Sequence, residues 1–144
     1  MPFVWDEKTM GTGVPEIDAQ HQELIRRLQR LLAALKEGRG EHEIRDTLDF
    51  VGQYAAWHFG QEEECMKRDQ CPVAAAARSA HKHFLESFRD LSERVKAEGP
   101  KMSLTIRAER ELADWVRHHI IRIDTQIKQC VQARASAVEE AQPA

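Results

Sequence analysis

The sequence predicts an all-α protein folded as an up-down-up-down four-helix bundle with an N-terminal arm. Proline occurs only at positions 2, 15, 72, 100 and 143, so the long segments between these positions are free to be helical. Apolar residues recur there at spacings of three and four, and no segment alternates with the period of two that indicates a strand. Helices joined by short loops pack as antiparallel neighbours, which predicts the bundle topology.

The four predicted helices follow one another along the chain. Their apolar stripes cover positions 17–35, 44–62, 77–95 and 112–131, and glycine or proline separates most of them. The bundle is therefore expected to occupy residues 1–134, of which about 1–16 form the arm. Residues 135–144 are small and polar, and we expect this tail to fray.

Composition excludes several classes of function. The 144 residues suffice for one domain, and 21 basic against 24 acidic residues leave no basic stripe for a nucleic-acid backbone. The longest apolar run, 73–77, falls far short of the ~20 residues needed to cross a bilayer, and the first residues contain no apolar signal region. Three cysteines fit a reducing compartment. We expect a cytoplasmic protein without nucleic-acid or membrane partners, and no protein partner is indicated.

Four of the seven histidines lie on the apolar stripes, one on each helix: His21, His58, His81 and His119. Glu62 follows His58 by four residues, a spacing at which two side chains can bind one metal ion. Burying four imidazoles and a carboxylate without partners is costly, so the pattern predicts a metal site. Imidazole and carboxylate ligands suit iron, zinc, copper or manganese.

Asp124 is the ligand candidate that fits least well by spacing. It follows His119 by five residues, which is about 140° around an ideal helix. A ligand role requires a local widening such as a π-bulge, and the alternative is a surface carboxylate near Arg122 or Lys128. The remaining histidines lie off the stripes and are expected in solvent: His42, His83 and His118.

Apolar and aromatic residues are expected to line a pocket around this site. Tyr54 precedes His58 by four residues and Trp115 precedes His119 by four, so both can face the site, although ordinary core packing is the alternative. The other expected pocket residues would limit the access of water: Ile25, Phe84, Val116 and Ile123.

The three cysteines allow two interpretations. Cys65 lies near the inward face, while Cys71 and Cys130 both lie about 12–16 Å beyond the site toward the same end of the bundle. Buried free thiols are the simpler interpretation. A redox-active pair is the alternative, with Cys71 and Cys130 as the best-placed partners.

Several motifs together resemble the hemerythrin family, in particular its single-domain bacterial members. They are IDAQH at 17–21, HFGQEE at 58–63, CP at 71–72 ahead of His81, and HIIRID at 119–124, and they span nearly the whole chain. The resemblance implies a non-haem di-iron centre bridged by an oxo or hydroxo group and two carboxylates. It also implies the ligands: Glu62 and Asp124 as bridges, His21 and His58 on one iron, and His81 and His119 on the other.

One position departs from the family pattern. The family usually has a histidine one turn before the position of His81, where this chain has Ala77. His83 cannot replace it, because two residues correspond to about 200° around the helix. Two hypotheses follow: the second iron binds more weakly, or open positions on both irons favour oxidase, peroxidase or nitric-oxide chemistry over oxygen carriage.

The predicted function is binding of O2 or a related diatomic or peroxide ligand at a di-iron centre, for carriage, sensing or scavenging. The first alternative is a di-iron oxidoreductase with peroxidase-like activity. A second alternative, from another class, is a helical interaction module without di-iron, whose histidines bind a single zinc ion or no metal. A ferritin-like oxidase fits less well, because it requires paired Glu-x-x-His motifs and the chain offers only Asp18-Ala19-Gln20-His21.

Overall fold

The computed structural model describes the backbone of residues 3–141 and the side chains of residues 3–136. Within that range the protein is helical and contains no strand, which confirms the predicted all-α bundle. The elements in order are α1 (Glu7–Met10), α2 (Pro15–Glu37), α3 (Glu41–Arg68), α4 (Ala74–Glu98), α5 (Met102–Ala108), a π-helical turn (Glu109–Asp114), α6 (Trp115–Arg122), a 3-10 turn (Asp124–Gln126) and α7 (Ile127–Ala141). The first three bundle helices are α2, α3 and α4, and the fourth is composed of the segments from α5 onward.

Local sequence signals explain where the helices begin and end. Pro15 is the first residue of α2, where its fixed φ favours helix and its missing N–H is not needed. Gly38 ends α2 in the left-handed region at φ 60°, and its N–H donates to the carbonyls of Ala34 and Leu35. Gly99, at φ 86°, ends α4 just before Pro100. The chain therefore reverses at the expected positions.

The interior consists of two hydrophobic clusters. The larger one is formed by apolar faces of α2 to α6, with Leu28, Leu48 and Leu112 fully buried. The smaller one lies at the end of the bundle that holds Cys71, and it includes Ile17, Cys65, Met66, Ala77 and Ile127. Together they bury the stripes that carry the four predicted histidine ligands.

The ends of the chain differ in detail from the expectation. The arm contains the short helix α1, and α7 continues to Ala141, through most of the segment 135–144 that was expected to fray. Residues 1–2 and 142–144 lie outside the described residues, and the domain limits stay a prediction. Among the described helices, none combines the length and apolarity needed to span a bilayer.

Candidate metal centre

The first cluster of metal-binding side chains consists of His21, His58 and Glu62. One ligand atom of each lies within 4.8 Å of the other two, and all three side chains are buried. α2 supplies His21, while His58 and Glu62 lie one turn apart on the inner face of α3. The Nε2 atom of His21 is 3.3 Å from Oε1 of Glu62, and Nε2 of His58 contacts the same oxygen.

The second cluster consists of His81, His119 and Asp124. Its ligand atoms also lie within 4.8 Å of one another, and all three side chains are buried. Nε2 of His119 lies 3.0 Å from Nε2 of His81 and 3.2 Å from Oδ1 of Asp124. α4, α6 and the 3-10 turn each supply one residue, so this cluster depends on the packing of two bundle helices.

The two clusters form one continuous group. Nε2 of His21 is 3.1 Å from Oδ2 of Asp124, so a single imidazole contacts the carboxylates of both clusters. The structure thus brings together the six residues that the sequence singled out as ligand candidates.

Asp124 reaches the interior by a route that differs from the predicted one. The π-helical turn lies at Glu109–Asp114, before His119, and the backbone does not widen between His119 and Asp124. Instead, α6 ends, Ile123 adopts φ −109°, and the chain tightens into a 3-10 turn that begins at Asp124. The turn changes the direction of this side chain and leaves it 1% exposed. The alternative of a surface carboxylate is therefore wrong.

The electrostatics of the clusters follow from burial and from their mutual contacts. Burial alone would lower the pKa of His21, but the carboxylates of Glu62 and Asp124 overcome this effect and raise it to about 10. Burial opposes ionisation of Glu62, yet the neighbouring His58 and His21 hold its pKa well below the usual range. Burial, together with repulsion from His119, lowers the pKa of His81 to about 3. The first cluster is thus an ion pair, and His81 is neutral.

The donor atoms left without partners fit a bound cation. Four buried atoms make no hydrogen bond: Nδ1 of His21, Nε2 of His58, Oε2 of Glu62 and Oδ1 of Asp124. Nε2 of His58 and Oδ1 of Asp124 lie close to Glu62 and His119, respectively. Buried polar atoms are normally satisfied, so this nitrogen and the two carboxylate oxygens within the clusters fit a bound cation. Imidazole and carboxylate together form the donor set of non-haem iron and zinc sites.

Two further polar residues hold the outer nitrogens of the histidines. Nδ1 of His58 lies 2.8 Å from Oε1 of Gln20, and Nδ1 of His81 lies 3.4 Å from Oε2 of Glu63. Such contacts fix the ring orientation and leave Nε2 directed toward the cluster. Sequence reasoning missed Gln20, although a side chain next to a predicted ligand is an obvious candidate for such support.

Aromatic rings cover the second cluster. Phe59 stacks on His81 at 4.0 Å between ring centroids, and Trp115 stacks on His119 at 4.5 Å. Phe84 contacts both aromatic rings. Sequence reasoning missed Phe59, which lies beside His58 rather than on the stripe, while its expectation that Trp115 faces the site agrees with this stacking.

The other expected pocket residues divide into two groups. Ile25 and Val116 are buried in the larger hydrophobic cluster. Ile123 is only partly buried and packs on the smaller cluster. Tyr54 is half-buried, and its hydroxyl donates to the carbonyl of Gln20 at 3.4 Å, so it lies at the edge of the site rather than over it.

The cysteines differ from the simpler prediction at one pair, and the remaining histidines lie where they were expected. Cys71 and Cys130 form a disulfide with Cα atoms 5.4 Å apart, so the free-thiol interpretation is wrong for this pair. Cys65 is a buried free thiol, and burial raises its pKa. Ala77 is fully buried and contributes no donor atom. The histidines expected in solvent are exposed: His42, His83 and His118.

Four imidazoles and two carboxylates buried inside a helical bundle define a metal-binding four-helix protein. A family model described as the hemerythrin HHE cation binding domain matches residues 12–131, so this chain belongs to the hemerythrin family. Membership implies non-haem iron as the bound metal.

Individual relatives agree with this assignment. The bacteriohemerythrin of Stenotrophomonas maltophilia is 29% identical over 118 residues, which cover 82% of this chain and 74% of that protein. The bacteriohemerythrin of Methylococcus capsulatus is 26% identical over 131 residues, which cover 91% of this chain and 98% of that protein. A crystal structure of wild-type hemerythrin matches with a TM-score of 0.77 and 25% identity, over 89% of this chain and 96% of that one.

Proposed function

We propose that this protein is a hemerythrin-like non-haem di-iron protein that binds O2 or a related small oxidant. The observation that carries the proposal is the presence of two buried three-residue clusters joined through one imidazole. In this proposal one iron is bound by His21 and His58 and the other by His81 and His119. Glu62 and Asp124 are shared between the two.

When bound, iron supplies reversible one-electron chemistry toward a small oxidant, and the residues of the chain control its surroundings. Gln20 and Glu63 hold the rings of His58 and His81 in a fixed orientation. Phe59 and Trp115 cover the second cluster with apolar rings and exclude water from it. These contacts serve carriage, sensing and scavenging equally.

Ala77 favours a second candidate, a di-iron oxidoreductase with peroxidase-like activity. The side chain is fully buried and offers no donor atom, so the protein fills one position fewer around the second iron. An additional open position gives a small oxidant more room to react rather than to be carried. A cytoplasmic location and the absence of nucleic-acid and membrane partners stay predictions.

Iron analysis combined with absorption spectroscopy tests the proposal. We expect two iron ions per chain and near-ultraviolet and visible bands that change when the reduced protein meets O2. A spectrum that returns after O2 is removed supports carriage or sensing, whereas consumption of peroxide with a supplied reductant supports the oxidoreductase.

His118 and His119 provide a matched pair of variants, since His118 is exposed and its Nδ1 donates to the carbonyl of Asp114. His119→Ala should lose iron and His118→Ala should retain it. A protein that binds only zinc, or no metal, would be the helical interaction module instead.

A further inference from the structure

The outer face of α3 carries an exposed stripe with the spacing of a helix–helix seam. Its members follow at alternating steps of three and four and are all exposed: Phe50, Gln53, Trp57, Gly60, Glu64 and Lys67. Phe50 and Trp57 keep 58% and 51% of their surface accessible. Alternating steps of three and four place side chains on one side of a helix, where a second helix packs. The described part of the chain leaves this α3 seam uncovered.

Gly60 has no role within the fold that explains its presence in a long helix. Glycine is unfavourable inside a helix, and a Cβ added at Gly60 would meet nothing within 4 Å. Trp57 lies one turn earlier on the same seam, with its ring 5.5 Å from that of Tyr54. A large exposed ring beside a residue without a side chain gives the surface a projection and a matching depression.

Charge is distributed unevenly along the same face. Asp46 and Asp49 lie on its exposed side near the start of α3, and Lys67 lies near its end. From 50 to 61 the exposed residues of α3 carry no charge. Lys67 makes no ion pair with the described side chains, while Asp49 is 2.8 Å from Lys96 and Asp46 contacts only the exposed His42. The face thus has acidic residues at its beginning and an uncharged middle, and it ends with Glu64 followed one turn later by Lys67.

We propose that a second copy of this chain docks on the α3 seam, with the two α3 helices antiparallel. The two-fold axis passes midway between Trp57 and Gly60, so each Trp57 packs over Gly60 of the other copy. In the same register Phe50 faces Lys67 of the other copy. Gln53 faces Glu64, and the carboxylate of Glu64 accepts a hydrogen bond from the side-chain amide of Gln53. Two-fold pairing of identical faces is the commonest form of homo-oligomer.

Charge complementarity favours the antiparallel arrangement, and it favours a second copy of this chain as the molecule that docks on the α3 seam. In it, Lys67 of one copy lies beside Asp46 and Asp49 of the other, at both ends of the seam. A parallel arrangement would place acidic residues against acidic residues and lysine against lysine, which is repulsive. Arg27 stacks on Phe50 at 4.9 Å and orients that ring on the seam.

Sedimentation velocity over a wide range of concentrations tests the association of the full chain. We expect a monomer–dimer equilibrium that Trp57→Ala weakens by at least about tenfold, because aromatic residues at the centre of an interface contribute most of its affinity. Gly60→Leu fills the depression and should weaken the dimer similarly, while its helical circular dichroism stays unchanged. Met102→Ala removes another exposed apolar side chain, 79% accessible on α5, and should leave the dimer unaffected.

A mixing experiment tests the register. The Lys67→Glu variant alone and the Asp46→Lys/Asp49→Lys variant alone should each be mainly monomeric, because like charges meet at both ends. An equimolar mixture should form a heterodimer, because both ends then pair opposite charges. The proposal is overturned if the chain stays monomeric at every concentration, which would leave the seam for a different protein. It is also overturned if a dimer forms whose affinity Trp57→Ala leaves unchanged, or if the mixture of the two charge variants does not form a heterodimer.

Discussion

The two clusters of the candidate metal centre use the same kinds of donor but differ in charge and in support. In the first cluster, His21 lies between two carboxylates, which raise its pKa to about 10. In the second, His81 is neutral because burial and His119 lower its pKa to about 3. A neutral amide, Gln20, supports the first cluster, whereas the carboxylate of Glu63 supports the second.

This difference shows how one buried site can be held together before any metal binds. In the first cluster a protonated imidazole takes the place of a cation between Glu62 and Asp124. In the second cluster aromatic rings stack on His81 and His119, and His81 is neutral. A metal ion must therefore displace a proton from the first cluster but not from His81 in the second.

The largest expected effect is the pH dependence of the metal-free fold. The pKa of His21 is raised from 6.5 to about 10, so its contribution to stability is complete below pH 6.5 and is lost as the pH rises through 10. The pKa of His81 is lowered from 6.5 to about 3, so stability also falls as the pH drops from 6.5 toward 3. Each change amounts to several kcal/mol in the free energy of unfolding.

Urea unfolding with a chelator present measures this profile, and we expect a maximum near pH 6.5. His21→Gln should flatten the alkaline side and His81→Gln should flatten part of the acidic side. A wild-type profile that is level from pH 7 to pH 10 would contradict the assignment of a charged His21.

Removing one histidine from each cluster should separate the two metal sites. His58→Ala and His81→Ala should each weaken one of two binding steps by at least about 100-fold, because even residues that only support a ligand cost 10–100-fold. Titration of cobalt(II) into metal-free protein, followed by visible absorption, distinguishes the steps. His83→Ala is the matched control for His81→Ala, since His83 is exposed on the same helix and should change neither step. An equal loss of affinity in both binding steps, in either variant, would show that the two clusters do not bind metal ions separately.

The smallest expected effects come from the two supporting residues. Gln20→Ala should weaken metal binding about 10–100-fold at the first cluster only, and Glu63→Ala should do so at the second. Glu63→Gln keeps a hydrogen-bond partner for His81 and loses the charge, so it should restore most of the affinity if orientation matters and little if charge matters. The same cobalt titration reads both variants. An effect of Gln20→Ala confined to the second cluster would contradict the contacts described here.

The fold could be predicted because its signals are local. Proline positions and apolar spacing mark four helices, and the same spacing places one histidine on each inner face. The family resemblance then singled out Asp124, which spacing alone could not place, because a 3-10 turn depends on how α7 packs.

The parts that sequence reasoning missed or left open depend on contacts between distant segments. Helix rise placed Cys71 and Cys130 at the same end of the bundle, but it could not decide between free thiols and a disulfide that joins residues separated by 59 positions. Gln20 supports a histidine on another helix, and Phe59 stacks on a histidine of α4. In each case the packing of two helices determines the partner, and a pattern within one helix cannot reveal it.

The most direct test of the central claim is the stoichiometry and proton balance of metal binding. Anaerobic iron(II) is titrated into metal-free protein at pH 8 by calorimetry, in buffers that differ in ionisation enthalpy. We predict two ions per chain in two unequal steps, with about one proton released in the step assigned to His21 and none in the other. A single equivalent of metal, or two steps of equal affinity with no proton release, would contradict this account.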